Sequence, residues 1–255
     1  MSKLPEEHRF LDLSDYGRPL AIQIANVLKT TSLTPIHITI GFIICGLIAI
    51  GCLLKEHYGL AFLFLILKSV LDAADGELAR LKETPSHTGR YLDSISDIIL
   101  NLILFLSIWY ITNGFIVLTI ISFLCLQLQG TLYNYYYVIL RNRYHGDTTS
   151  RVFENKSPKA LKGESQQTVN IMFKVYSFCY GFFDKIIYRL DKNAAKDKRF
   201  PNWFMTAVSS FGLGFQLLLI GLMLTFGWQH YIIPFFIAYS IMILVFIITR
   251  QFLNR

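Results

Sequence analysis

Four aspartates fall in two pairs: Asp72 and Asp75, three apart, then Asp93 and Asp97, four apart. Each residue of an α-helix advances about 100°, so each pair presents its carboxylates on one helix face. Both pairs lie at the flanks of strongly apolar stretches. An Asp at the centre of a lipid-exposed helix costs roughly 2.5–3.5 kcal/mol, so four cost on the order of 10 kcal/mol. That rivals the whole stability of a typical domain, roughly 5–15 kcal/mol. A place near the membrane surface lowers the cost, but the mutual repulsion still has to be offset. Clustered carboxylates do this by binding a cation. Ligands that are all oxygen suit a hard ion, Mg²⁺ or Mn²⁺. A pair of such ions can clamp a diphosphate and stabilise both the attacking and the leaving oxygen.

The neighbours of the aspartates fit that chemistry. Gly76 and Ala79 lie on the same side as Asp72 and Asp75, and Gly89 precedes Asp93. Their lack of bulk lets a ligand or a helix approach the backbone. Arg80 is placed to pair with a phosphate or to hold an Asp.

The elements that must position these residues are membrane helices. The chain of 255 residues is 53% hydrophobic, with a mean hydropathy of +0.45, too apolar for an ordinary soluble domain. Six runs reach the roughly 20 residues that a span needs: 35–54, 58–79, 90–112, 115–138, 203–226 and 230–250. The expected fold is therefore an all-α integral membrane protein with six transmembrane helices. Residues 1–33 form a separate lead-in. In it Leu20, Ile24 and Val27 or Leu28 recur at helical spacing after Pro19, as in an amphipathic interfacial helix. Residues 34–255 form the transmembrane domain, with Thr34-Pro35 as N-cap and first position of its first span.

The net charge of +7 is spread unevenly. Lys and Arg collect before the first span, at 80–90, in the insertion 141–199 and at the C-terminus. This places both termini, the insertion and the aspartates on the cytoplasmic side of a multi-pass protein. The charge then faces anionic lipid, and nothing resembles a nucleic-acid module. Within the insertion, 169–190 is long enough to span, but Lys174, Asp184, Lys185 and Arg189 favour an interfacial helix or helix pair. Cys45, Cys52 and Cys125 sit in apolar runs, and the chain has no C-x-x-C pair, so all four cysteines read as small hydrophobes.

The string D-x2-D-G-x2-A-R-x8-G-x3-D-x3-D runs from Asp72 to Asp97 without a gap. Eight fixed positions match by chance with odds on the order of 10⁻¹⁰. The string resembles the signature of the CDP-alcohol phosphotransferases. Pro35-Ile36-His37-Ile38-Thr39 is similar to that family's Pro-Asn-x-x-Thr element, with Ile36 in place of Asn. The resemblance implies transfer of a phosphate-linked group from a CDP-linked donor, CDP-diacylglycerol by preference, to an alcohol with release of CMP. It implies Asp72, Asp75 and Asp93 as principal ligands of two Mg²⁺ or Mn²⁺ ions. Asp97 would act as general base, sharing a metal, and Asp72, Gly76, Ala79, Arg80 and Gly89 would border the nucleotide. It also implies a homodimer.

The acceptor is open. The wording Asp-Gly-Glu-Leu-Ala-Arg-Leu-Lys looks most like members that handle inositol phosphate or another polyol phosphate. Arg141, Arg143, Lys174 and Arg250 are the basic residues expected near such an acceptor. The alternative is an amino alcohol: serine, ethanolamine, or choline cradled by Tyr133, Tyr135, Tyr136 and Tyr137. Gln127 and Gln129 are expected to face a cavity or a partner helix, and His37 to be a ligand or a helix-end group. From another class, a divalent-cation transporter also lines a membrane with carboxylates, but across several spans rather than at one end of two.

Overall fold

The computed structural model describes residues 4–144, 156–196 and 200–254, so residues 145–155 and 197–199 of the expected insertion lie outside the described residues. The described residues contain helices and turns and no strand. The helices are α1 (Arg18–Leu28), α2 (Pro35–Leu54), α3 (Tyr58–Leu81), α4 (His87–Thr112), α5 (Ile116–Arg143), α6 (Gln166–Leu190), α7 (Asn202–Val208), α8 (Leu213–Thr225), α9 (Gln229–Tyr239) and α10 (Ile241–Leu253).

Local chemistry sets the helix ends. Thr34 is extended and Pro35 opens α2. The Thr34 N–H donates to His37 Nδ1 at 3.1 Å, so His37 closes a helix end. Ser86 caps α4 by accepting from the Gly89 N–H at 2.8 Å, and α4 starts at His87, three residues before the expected span 90–112. Asn113, in the left-handed region at φ 50°, stops α4. Lys82 Nζ donates to the carbonyls of Thr31 and Leu33 at 2.7 and 2.6 Å, tying the end of α3 to the α1–α2 connection.

Four helices are long and apolar enough to cross a membrane by length and composition: α2, α4, α5 and α9–α10 taken together. A fifth arises if Asn202–Phe211 and Leu213–Thr225, bent by 54°, count as one broken span. α3 matches the second expected span in extent, but Lys68 lies near its middle and Asp72 and Asp75 in its second half.

α3 is the hub of the bundle, packed on α1, α2 and α8. The α3–α8 contact depends on glycine, because a Cβ at Gly221 would collide with the Phe62 ring. One main core, with Phe42, Phe105, Leu126, Leu217 and Phe236, joins α2, α4, α5, α8 and α9. Within it Gln129 meets helices rather than a cavity. The Ser240 N–H bonds the Ile237 carbonyl, and the Phe236 carbonyl accepts instead from the Ser240 hydroxyl at 3.0 Å and from Gln129 Nε2 at 3.1 Å.

Two details go beyond the sequence pattern. α1 exists, but its buried positions are Ala21 and Ala25, with Ile24 and Leu28 beside them, while Leu20 and Val27 face outward. Alanine lets α1 lie close on Ala74 and Leu78 of α3. The second detail concerns α3 and α4. They are consecutive, yet their backbones barely approach each other, and both lean on α2.

α6 is one helix, and it runs across the bundle end that carries the aspartates. Val169 packs on Tyr91 and Ile95 of α4, and the Tyr180 hydroxyl donates to the Ser94 carbonyl at 2.8 Å. Further along, Ile187 joins Leu132 and Tyr136 of α5.

Candidate functional site

The carboxylates meet across the opening between α3 and α4. Asp72, Asp75 and Asp93 each offer an oxygen, and these atoms lie within 4.8 Å of one another. Thr39 on α2 donates its hydroxyl to Asp75 Oδ2 at 2.6 Å, which fixes that carboxylate. Asp93 Oδ1 is buried without a hydrogen-bond partner among the described residues. A buried carboxylate oxygen left bare costs free energy unless a cation reaches it. An all-oxygen triad with a bare buried lone pair fits a hard divalent ion.

Asp97 stands apart from this triad. The family resemblance implies Asp97 as general base sharing a metal; here its Oδ1 accepts from Lys68 Nζ at 2.5 Å. Lys68 lies one turn before Asp72 on the same face of α3 and is 1% exposed. Sequence reasoning missed it, although a lysine amid an apolar run, four residues from an aspartate, was a visible signal.

The basic member of the motif is also engaged. Glu77 Oε2 accepts from Arg80 in a short ion pair, and from Arg18 Nη1 at 3.1 Å. Arg18 pairs with Asp15 as well. Burial alone would lower the pKa of Arg18, but Asp15 and Glu77 outweigh it and hold the guanidinium more firmly protonated. Gly76 lies beside this arrangement, and a Cβ there would make only ordinary van der Waals contact, 3.5 Å from Arg80 Nη1. Ala79 lies on the triad's side of α3, one turn beyond Asp75. Gly89 sits in the capped first turn of α4, where a Cβ would crowd Ser86 Oγ at 3.3 Å.

Glu164, in the segment before α6, closes the same turn. Its carboxylate accepts from the Thr88 N–H at 2.7 Å, the Ser86 hydroxyl at 2.8 Å and the Leu161 N–H at 3.0 Å. Burial pushes the acid up, but these donors win and hold it down to about 2.

The basic residues expected around the acceptor occupy four different settings. Arg141 is buried with its guanidinium 5.0 Å from the Tyr137 ring, and Arg143 lies 5.5 Å from the Phe200 ring. Lys174 is exposed on α6. Arg250 is buried and donates to Asp191 Oδ1 at 2.5 Å, which removes it from the acceptor group. The tyrosines part as well. Tyr133 and Tyr137 stack on each other, with Tyr133 bonded to Asp12, whereas Tyr135 and Tyr136 bond Asp191. They make no common cage.

The fold and the site together define an integral membrane helical protein with an acidic centre at one end of its bundle. The sequence profile of the CDP-alcohol phosphatidyltransferases matches residues 32–183, more than half of the chain, and the protein belongs to that family. It is also similar to the CDP-diacylglycerol--serine O-phosphatidyltransferase of Bacillus subtilis (strain 168), at 45% identity over 65 residues. That alignment covers 26% of this chain and 37% of the relative, so the chain spans little more than a third of the relative's length.

Proposed function

We propose that this protein transfers a phosphatidyl group from CDP-diacylglycerol to a hydroxyl acceptor and releases CMP, at the cytoplasmic rim of a six-span bundle. In this reading α3 is the second span, α7 and α8 together are the fifth, and both termini face the cytoplasm. α6 lies along the membrane surface. Its exposed stripe of Ile171, Val175, Phe178 and Phe182 suits that position.

Asp72, Asp75 and Asp93 would hold Mg²⁺ or Mn²⁺, which supplies charge neutralisation for the diphosphate. Thr39 keeps Asp75 turned toward the triad. Gly76 leaves the backbone of α3 open where the nucleotide enters, and Glu77 orients Arg80 for its phosphates. Gly89 and the capped turn of α4 border the same space. Asp97 takes the proton of the acceptor hydroxyl, whose oxygen bonds to the phosphatidyl phosphorus. The bond from that phosphorus to the bridging oxygen breaks, and the electron pair leaves with CMP. The bare Oδ1 of Asp93 within the triad carries this reading.

Serine is the acceptor we place first. The Bacillus subtilis relative supports it, and the separate settings of Arg141, Arg143, Lys174 and Arg250 weaken a pocket for a phosphorylated polyol. The test is CMP release by purified protein with CDP-diacylglycerol, Mn²⁺ and, in separate reactions, serine, inositol phosphate, glycerol phosphate, ethanolamine and choline. Serine should give the fastest release. A faster rate with inositol phosphate restores the polyol reading, and no release with any acceptor defeats the transferase reading.

A further inference from the structure

We propose that Lys68 is a built-in second cation of this centre, so that Asp72, Asp75 and Asp93 hold one divalent ion and Asp97 holds none. This rests on the metal-dependent reading above and departs from the two ions that the motif implies.

Three observations carry it. Lys68 is 1% exposed, and its ammonium is directed at Asp97 Oδ1 at 2.5 Å. The Phe42 ring, with its centroid 4.9 Å from Nζ, backs the ammonium and gives it a second favourable surface. The oxygens that gather within 4.8 Å of one another come from Asp72, Asp75 and Asp93, without Asp97. A divalent ion on Asp97 would lie beside a fixed positive charge in a place poor in water, where like charges repel strongly. The ammonium has no hydration shell left to shed and already satisfies one oxygen of Asp97. It thereby leaves Oδ2 as the oxygen available to an acceptor hydroxyl. A helix dipole or a surface lysine would not do this, because neither fixes a full charge at hydrogen-bond distance inside the bundle.

The experiment counts Mn²⁺ per chain by electron paramagnetic resonance of free Mn²⁺, on full-length protein in detergent near pH 8 without nucleotide. Wild type should bind one ion. Lys68→Met should bind two, because Asp97 is released, and Asp97→Asn should still bind one. Two ions on the wild type, none on the wild type, one on a folded Lys68→Met, or none on Asp97→Asn would each overturn the proposal. If Lys68→Met does not fold, the wild-type and Asp97→Asn counts decide. Transferase failure is separate: the expected counts with no CMP released leave Lys68 in its role and remove only the reaction.

Discussion

Two groups of charge sit in this bundle, one buried and one half-buried, and they are balanced in opposite ways. Asp191, at the end of α6, is fully answered. Its Oδ1 takes Arg250 at 2.5 Å, its Oδ2 takes the Tyr136 hydroxyl at 2.6 Å, and its carbonyl takes the Tyr135 hydroxyl at 3.0 Å. One anion meets one cation, and the cluster locks α5, α6 and α10 together. At the other group Lys68 pairs with Asp97, Asp72, Asp75 and Asp93 gather separately, and Asp93 Oδ1 has no hydrogen-bond partner among the described residues. The first group is finished when the chain folds, whereas the second stays short of positive charge until a ligand arrives. Asp72, Asp93 and Asp97 are also half-buried where Asp191 and Arg250 are buried, so a surplus of anions that solute can reach is what separates a site from a fastening.

The sharpest way to break this comparison is to remove an anion from the surplus. Asp93→Asn should lower kcat/KM by roughly 10³–10⁴-fold, ~4–5.5 kcal/mol of transition-state stabilisation. The same change should leave the metal-free melting temperature unchanged or raise it, since it relieves repulsion. Rates and melting curves on one preparation test both halves. An active but destabilised variant would mean that the four aspartates serve the fold.

The matching change at the balanced cluster should do the reverse. Arg250→Met leaves Asp191 buried without its cation and should cost about 3 kcal/mol in an unfolding titration in detergent. Adding Asp191→Leu removes the stranded charge and should bring stability to within about 2 kcal/mol of wild type, the remainder being the Tyr136 hydroxyl. A double variant no better than Arg250→Met would show that the pair stabilises by more than neutralisation.

A smaller effect probes the hydroxyl that aims one ligand. Thr39→Val keeps shape but removes the donor to Asp75 Oδ2. Affinity for Mn²⁺ should fall about 10–100-fold, as for other groups that orient a metal ligand. Affinity within about twofold of wild type would mean that Asp75 is positioned by its helix alone.

What the sequence made legible follows from distance along the chain. The aspartate faces were readable because helical spacing alone decides which side chains share a face, and α2, α4 and α5 were readable from the length of their apolar runs. Partners far apart in sequence were not. Arg250 looked available to an acceptor because Asp191, 59 residues away, meets it only in the folded bundle. The contact of Asp97 with Lys68 was not readable either, because it joins two helices across 29 positions. The contact face of α1 was not legible because small residues, Ala21 and Ala25, make it, while Leu20 and Val27 of the amphipathic pattern are exposed. The six-span count depends on α3, where the charges of the site dilute the apolar signal that marks a span.

The smallest expected effect concerns Glu164, which joins the segment before α6 to the first turn of α4, 78 positions after Ser86 in the sequence. Its acid is held down to about 2 from the usual 4.5. A depressed carboxylate stabilises the folded state fully above its unfolded pKa and stops doing so as pH falls through the folded one. The window therefore opens near 4.5 and closes near 2. Glu164→Ala should cost about 1 kcal/mol near pH 7, in line with other lost helix caps. Its deficit against wild type should shrink steadily below about pH 4.5 as the wild-type carboxylate takes up its proton. Amide exchange at Thr88 and Gly89 reads the turn directly and should quicken in the variant at neutral pH. A deficit that stays constant from neutral pH into the acid range would mean that packing of the 156–165 segment, rather than the carboxylate's charge, secures the α4 end of the site. The unbalanced region would then hold its shape without help from any anion outside its surplus.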